Sequence, residues 1–250
     1  HLAVRRQRQM CIRDSSERDV LLSTGEQMAS ALIAGKLCDL GFNSRSWMSW
    51  QIPIITRGNY SSARIIKIGT DQLKRYLKKG GTPIITGFQG LNKESRLTTL
   101  ERGGSDASAI MLAKFFQAKR CIIYTDVDGV YTTDPNLTKK AKKIKALSYE
   151  EMLEMSSLGA KVMQPASIQD AKLNKVKIDV KSSFTNKTGT NIIGRKKIKD
   201  TNIIRGVSFT KNDAKVSLLG VKDKPGVAAA IFEPLYRNSI NVDTVSYTHL

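Results

Sequence analysis

The chain has 250 residues and a formal net charge of +19, from 41 Lys and Arg against 22 Asp and Glu. Its 40 % of hydrophobic residues excludes wholesale disorder, and no run approaches the roughly 20 apolar residues that a membrane span needs. This charge is compatible with nucleic acid, anionic lipid or phosphorylated small molecules as partners. The basic residues are spread out with few aromatic residues between them, which favours a solvated surface over a nucleic-acid face.

The two ends of the chain do not follow the pattern of a fold. Residues 1–15 are dense in Arg and Gln and have no steady period, and residues 244–250 break the pattern before them. We expect both segments to be foreign, as translated adapter sequence would be, and the protein to be truncated at both ends. A natural basic arm and a natural C-terminus are the alternative.

A first helix is predicted within residues 19–42, where apolar side chains recur at close to helical spacing until Gly41. The segment Ser23-Thr24-Gly25-Glu26 stands at its start. Ser23 or Thr24 is predicted to be the N-cap, with Glu26 or Gln27 completing a capping box. A contact with a substrate is compatible with that structural role.

Strands and a short helix are predicted next. Ile-rich runs at 51–56 and 63–68 predict strands, residues 70–79 a helix, and the apolar run 82–88 a further strand. The polar segment 91–100 is predicted to be a loop. It follows the end of a strand, which is where α/β proteins place their ligands.

The segment Thr98–Asp106 reads T-T-L-E-R-G-G-S-D and runs into an apolar helix pattern. Gly103 and Gly104 permit close backbone approach, and Ser105 and Asp106 are predicted N-caps. A helix N-terminus preceded by glycines is an anion site. An ordinary glycine-rich helix start beside a surface Arg102 is the alternative reading.

A second polar segment, Thr125–Pro135, follows a predicted strand at 120–124. Its Asp126 and Asp134 are either simple Asx-turn residues or ligands of a ribose or a metal.

The remaining elements complete an α/β pattern. Helices are predicted at 148–155 and 165–173 and a strand at 176–180, and after a charged linker at 195–200 come strands at 203–210, 215–219 and 240–242 and a helix at 227–237. Strands that alternate with helices predict a mainly parallel sheet with helices on both faces, followed by a small second unit.

Histidine is almost absent, since His1 and His249 are the whole set. A catalytic triad or a histidine zinc site is therefore nearly excluded, whereas phosphoryl transfer depends mainly on positioning and on cations. The three cysteines have no metal-site spacing, and buried thiols in a reducing cytoplasm fit them better than secretion.

Neither a P-loop nor a Rossmann fingerprint is present, yet several motifs together resemble the aspartate kinase family of the amino-acid kinase superfamily. These motifs are S-T-G-E at 23–26, G-F-Q-G at 87–90, R-G-G-S-D at 102–106, Y-T-D-V-D-G-V-Y-T-T-D-P at 124–135, L-S-Y-E-E-M-L-E at 147–154 and G-A-K at 159–161. The tail resembles the first half of an ACT domain, a small ligand-binding module. The resemblance covers residues 19–243, with a kinase domain at 16–200 and a partial ACT domain at 201–243.

The resemblance implies transfer of phosphate from ATP to L-aspartate, giving 4-phospho-L-aspartate, with Mg²⁺ on the phosphates and no protein-held metal. The implied substrate residues are Thr24, Glu26, Arg102, Gly103, Gly104, Ser105 and Asp106, of which Arg102 and Asp106 are catalytic. The implied ATP residues are Thr125, Asp126, Tyr131, Asp134, Asn136 and Lys161. The implied effector residues, for lysine or threonine, are Asp223, Lys224, Pro225, Gly226 and Val227.

The chain also departs from the family pattern. Nothing before residue 17 matches the family's K-F-G-G phosphate loop, and Asn136 stands where the family usually has Arg. Because the lysine of that loop is the main cation on the transferred group, we expect this chain to be inactive although its parent is an enzyme. We expect the parent to be a cytoplasmic enzyme that forms a dimer or hetero-oligomer through its ACT domains.

Two other functions fit parts of the pattern. The first is another amino-acid kinase, such as a glutamate 5-kinase, which Glu26 and Arg102 would distinguish through their choice of substrate. The second is a regulatory amino-acid-binding protein without catalytic activity.

Overall fold

A computed structural model describes residues 16–160, 162–195, 198, 204–208, 224 and 226–237. The chain divides into two compact units, residues 1–210 and 211–250. The predicted strands at 215–219 and 240–242 and both chain ends lie outside the described residues, as do residues 203, 209 and 210. Residues 204–208 of the predicted strand at 203–210 are described and form no strand, so that prediction is wrong for them. The predicted domain boundary after residue 200 stays a prediction.

The described helices are α1 (Ser16–Asp39), α2 (Asp71–Lys78), α3 (Gly104–Phe115), α4 (Tyr149–Ser157), α5 (Pro165–Asn174) and, in the second unit, α6 (Val227–Arg237). Helix α4 begins with a capping box between Ser148 and Glu151. Ser148 Oγ accepts from the Glu151 N–H at 3.1 Å, and the Glu151 carboxylate accepts from the Ser148 N–H at 2.7 Å. None of the described helices is long and apolar enough to cross a membrane.

The strands are β1 (Ser44–Trp47), β2 (Ile54–Arg57), β3 (Arg64–Ile68), β4 (Thr82–Ile85), β5 (Gln89–Leu91), β6 (Leu97–Thr99), β7 (Cys121–Thr125), β8 (Ala146–Ser148), β9 (Ile178–Ser182) and β10 (Thr190–Ile193). They form one two-stranded sheet, β1-β4, and two four-stranded sheets ordered β3-β2-β5-β6 and β7-β9-β10-β8. Parallel pairing joins β1 to β4, β2 to β5, β7 to β9 and β8 to β10, and the other pairs are antiparallel. The predicted α/β class with largely parallel pairing is confirmed.

The predicted N-cap of the first helix is wrong. Helix α1 begins at Ser16, so Ser23 and Thr24 lie inside it, and their hydroxyls donate to the carbonyls of Val20 and Leu21, each at 2.7 Å. A hydroxyl that donates to a carbonyl of the preceding turn has its hydrogen bond made within the helix and does not interrupt it. The polar S-T-G-E segment is therefore carried on a continuous helix rather than starting one.

The predicted loop at 91–100 is partly wrong: residues 92–96 form the turn of the β5–β6 hairpin, whereas residues 97–99 form strand β6. The side chain of Asn92 accepts from the backbone N–H groups of Glu94 and Arg96, at 3.0 and 2.9 Å. An asparagine that bonds backbone groups of the following residues makes a tight turn out of a polar sequence.

Helix α3 lies between two hydrophobic cores. Its Ile110 and Ala113 belong to the core that β7, β9 and β10 form with α4 and α5, whereas its Met111 belongs to the core of β1, β2, β3 and α2. The second half of α3 is therefore packed from both sides.

Helix α1 is attached to the sheet through one buried carboxylate. Asp19 is fully buried, and its two oxygens accept four hydrogen bonds, from the backbone and hydroxyl of Ser61 at 2.9 and 2.7 Å and from those of Thr99 at 2.6 and 2.9 Å. A carboxylate can be buried in this way because it is fully hydrogen-bonded. Asp19 therefore fixes the position of α1 on strand β6.

We expect Asp19→Ala to lower the free energy of unfolding by about 3 kcal/mol or more, since it leaves buried N–H groups without acceptors. Thermal and urea unfolding measure the change. Asp39→Ala is the matched control, because Asp39 is an exposed carboxylate on the same helix. An Asp19→Ala protein as stable as this control would contradict the assignment.

Candidate functional site

Two motifs that lie far apart in the sequence meet at one place. Ser105, in the first turn of α3, donates a hydrogen bond from Oγ to Oε1 of Glu26 on α1 at 3.1 Å, across 79 residues of sequence. Glu26 is half-buried, whereas Ser105 and Arg102 are exposed. The structure thus brings S-T-G-E and R-G-G-S-D together, as the sequence predicts for one pocket.

The two glycines at the start of α3, Gly103 and Gly104, have different roles. Gly103 is the N-cap, with φ of 81°, so the prediction that Ser105 or Asp106 caps the helix is wrong. A left-handed N-cap favours glycine, and it leaves Ser105 and Asp106 in the first turn. Gly104 is buried so closely that a Cβ there would lie 2.6 Å from the Leu100 Cβ.

A cation and a half-buried acid lie at the start of α3, namely Arg102 just before the N-cap and Asp106 in the first turn. The Arg102 guanidinium forms no ion pair with any residue within the described ranges. Burial raises the pKa of the Asp106 carboxyl above its usual range. Together with the helix N-terminus, these groups suit a small molecule that carries both a carboxylate and an ammonium.

Of the remaining predicted substrate residues, Thr24 stands apart. It is exposed, and its hydroxyl already bonds the backbone of its own helix.

Gln89, whose role is not predicted from the sequence, supports this pocket from strand β5. Gln89 is fully buried, its Nε2 donates to the Ser23 carbonyl at 3.3 Å, and its Oε1 accepts from Gln27 Nε2 at 3.0 Å. It therefore ties β5 to the turn of α1 that carries Glu26. The sequence signal for this role is the amide side chain itself, which stands between Phe88 and Gly90 in a strand position where an apolar residue is expected.

A second group of predicted residues follows β7, in the segment 126–135, here called the β7 loop. Thr125 and Ser182 are paired at the carboxyl ends of the parallel strands β7 and β9, and the Ser183 N–H donates to the Thr125 carbonyl at 2.8 Å. The Thr125 hydroxyl donates to Asp126 at 2.9 Å. This is the edge at which α/β sheets bind ligands.

The β7 loop is held by its own side chains. Asp128 accepts from the Tyr131 hydroxyl at 2.8 Å and pairs with Lys143 at 3.1 Å, and these contacts, the tyrosine bond foremost, lower the pKa of Asp128. The same hydrogen bond raises the pKa of Tyr131. Asp134 accepts from the Asn136 N–H at 2.8 Å. It therefore forms an Asx turn, which is one of the two roles that the sequence leaves open for it.

Thr190 anchors the base of the β7 loop. Its buried hydroxyl accepts from the Val130 N–H at 2.8 Å and donates to the Ile144 carbonyl at 2.6 Å. Thr190 therefore holds, at Val130, the chain segment that carries Tyr131, Asp134 and Asn136.

Several predicted site residues cannot be placed. Lys161, Asp223 and Pro225 lie outside the described residues. In the second unit Gly226 has φ of 91° and precedes α6, and the Val227 N–H donates to the Lys224 carbonyl at 3.3 Å. Within the described part of the chain, no group of three or more His, Cys, Asp or Glu residues could hold a metal ion.

Comparison with known proteins gives a family match over residues 2–182, to the amino acid kinase family. The chain is 42 % identical to an aspartokinase of Geobacillus stearothermophilus over 229 residues, which are 92 % of this chain and 56 % of that protein. The chain thus spans about half the length of the curated relatives it matches.

The fold resembles crystal structures of E. coli aspartokinase III, which is 28 % identical. The complex with aspartate and ADP, described as the R-state, superposes with a TM-score of 0.72, and the complex with lysine and aspartate, described as the T-state, with 0.74. Each superposition covers 93 % of this chain and 53 % of the other.

We expect Asp106→Asn to raise the melting temperature at pH 7, because ionising this half-buried carboxyl costs free energy in the folded state. A folded pKa above the unfolded value means that this cost is absent at low pH and appears as the pH rises through the unfolded pKa. The stabilisation should therefore vanish below about pH 4. Thermal unfolding against pH measures it.

Glu101→Gln is the control for this prediction, because Glu101 is an exposed neighbouring carboxylate. A melting temperature at pH 7 that Asp106→Asn leaves unchanged or lowers would contradict the burial argument.

Proposed function

The chain belongs to the amino acid kinase family, and from that premise we propose that it acts as part of an aspartate kinase. Such an enzyme transfers the γ-phosphoryl group of ATP to the side-chain carboxylate of L-aspartate. The observation that carries the proposal is the contact between Glu26 and Ser105, with Arg102, which forms no ion pair among the described residues, just before Ser105 in the chain. The similarity to aspartokinases over 92 % of the chain supports it.

L-Aspartate matches the charges of this pocket. Arg102 is proposed to hold the α-carboxylate through two parallel hydrogen bonds, and Glu26 to bind the ammonium group. Ser105 keeps the Glu26 carboxylate in place, and Asp106 completes the negative side of the pocket. The backbone of Gly103 and Gly104 lets the substrate approach the N-terminus of α3 closely.

The reaction needs little proton transfer. An oxygen of the side-chain carboxylate, which is ionised at neutral pH, attacks the γ-phosphorus of ATP while the bond to the β-phosphate oxygen breaks and ADP leaves. The product is the acyl phosphate 4-phospho-L-aspartate. Because the nucleophile is already deprotonated, the protein's task is to position it and to stabilise charge, which fits a sequence almost without histidine.

ATP is proposed to bind at the carboxyl ends of β7 and β9. Thr125 and Asp126 lie at this edge, and Tyr131, Asp134 and Asn136 lie on or beside the β7 loop, which is preformed by the contacts of Asp128 and Thr190. Lys161 is proposed to contact the nucleotide as well. Mg²⁺ would be bound mainly by the phosphates of ATP.

Regulation is proposed to act through the second unit. Lysine is the first candidate effector, since E. coli aspartokinase III was solved with lysine, and Lys224, Gly226 and Val227 are the described residues of the predicted effector turn. Dimer formation through the second unit is part of the same proposal. A cytoplasmic location is consistent with the free thiols of Cys38 and Cys121, of which Cys121 is buried as predicted, whereas the prediction of a buried Cys38 is wrong because its side chain is exposed.

The proposal is tested by amino-acid binding to this chain and by ATP turnover in the complete product of its gene. We expect L-aspartate to bind more tightly than L-glutamate in calorimetry, and a hydroxylamine trap to detect the acyl phosphate. Arg102→Ala should weaken aspartate binding about 100-fold, because a charged, bidentate pair is lost. Glu101→Gln should leave binding unchanged.

Tighter binding of glutamate would favour the glutamate kinase alternative. Amino-acid binding by the chain without any acyl phosphate from the complete gene product would favour a regulatory protein.

A further inference from the structure

The segment 204–208, which precedes the second unit, lies against the β7 loop. The Val207 N–H donates to the Thr132 carbonyl at 2.7 Å. Thr132 is held from its other side by Lys142, which accepts from the Thr132 N–H at 2.9 Å and donates its own N–H to the Thr132 hydroxyl at 3.1 Å. Segment 204–208 thus provides one of the two backbone supports of the residue next to Tyr131.

Arg205 fixes that segment to the rest of the unit. Its side chain is 10 % exposed, its Nη2 donates to the Ala146 carbonyl of β8 at 2.5 Å, and its Nε lies 3.6 Å from Glu151 Oε1. Glu151 is itself held by the capping box of α4 and pairs with Arg195. A planar guanidinium presents its donors in a fixed arrangement that reaches both groups, whereas an ammonium is a compact point charge without that geometry.

Gly206 allows the close approach. A Cβ at this position would lie 3.0 Å from the Thr132 carbonyl oxygen and 3.1 Å from the Met155 methyl group. Any larger residue must therefore move segment 204–208 or the β7 loop by a few tenths of an ångström.

We propose that Arg205 is a positioning residue for nucleotide binding, acting through Val207 on Thr132 of the β7 loop. This inference rests on the proposed function, because it assigns the β7 loop to ATP. Arg205 does not touch the nucleotide in this account: it holds the segment whose N–H group keeps Thr132, and with it Tyr131 and Asp134, in the binding conformation. The aspartate pocket, by contrast, is formed by Glu26 on α1 and Ser105 on α3.

The test measures two affinities on the full chain, that of a fluorescent ADP analogue with Mg²⁺ and that of L-aspartate. Arg205→Ala should weaken nucleotide binding about tenfold, the effect of losing one well-made polar anchor, and leave aspartate binding unchanged. Arg205→Lys should recover part of the lost affinity, because it keeps the positive charge but not the planar arrangement of N–H donors. Gly206→Ala should weaken nucleotide binding although no charge is changed.

Lys172→Ala is the matched control. It breaks the ion pair between Lys172 on α5 and Glu150, which lies next to Glu151 on α4. It should change neither affinity.

The outcomes separate the two claims. Normal nucleotide binding by both Arg205→Ala and Gly206→Ala, or equal loss of nucleotide and aspartate binding, would overturn the role of Arg205 and leave the proposed function standing. A wild-type chain that binds aspartate but no nucleotide would overturn the assignment of the β7 loop and the role of Arg205 with it.

Discussion

The buried carboxylate of Asp19 is the constraint on which the candidate site depends. The buried residues of α1 are Asp19, Ser23, Ser30 and Ala34, whereas most of its large apolar side chains are exposed, so polar contacts rather than an apolar face fix which turn faces α3. Its hydrogen bonds to Ser61 and Thr99 set the position of α1, and Gln89 sets it a second time, one turn further along. Because Glu26 lies two turns after Asp19, these buried polar contacts decide where its carboxylate points.

The other side of the pocket is fixed by packing rather than by polar contacts. Helix α3 contributes side chains to both hydrophobic cores, and the absence of a Cβ at Gly104 lets its first turn lie directly on Leu100. The Ser105–Glu26 contact then joins a helix placed by hydrogen bonds to a helix placed by close packing. A pocket held in this way is preorganised, which a reaction that depends on positioning requires.

Local sequence signals predicted what is locally determined. The starts of α4 and α5 and the helix end at Gly41 were predicted, because each depends on neighbours within a few residues. The start of α1 was not, because Ser23 and Thr24 satisfy a cap and a helix interior equally well in sequence. The roles of Asp19, Gln89 and Arg205 were missed for a related reason: their partners lie far away in the chain, and no periodic pattern marks them.

The most direct test of the account is a double-mutant cycle between Glu26 and Ser105, read out as L-aspartate affinity of the full chain. If α1 and α3 form a single pocket, Ser105→Ala should weaken binding in the wild-type background but have little further effect once Glu26 is alanine. We expect a coupling free energy of about 1 kcal/mol. Effects that add within about 0.3 kcal/mol would contradict the account, because they would mean that the two motifs contribute to aspartate binding independently.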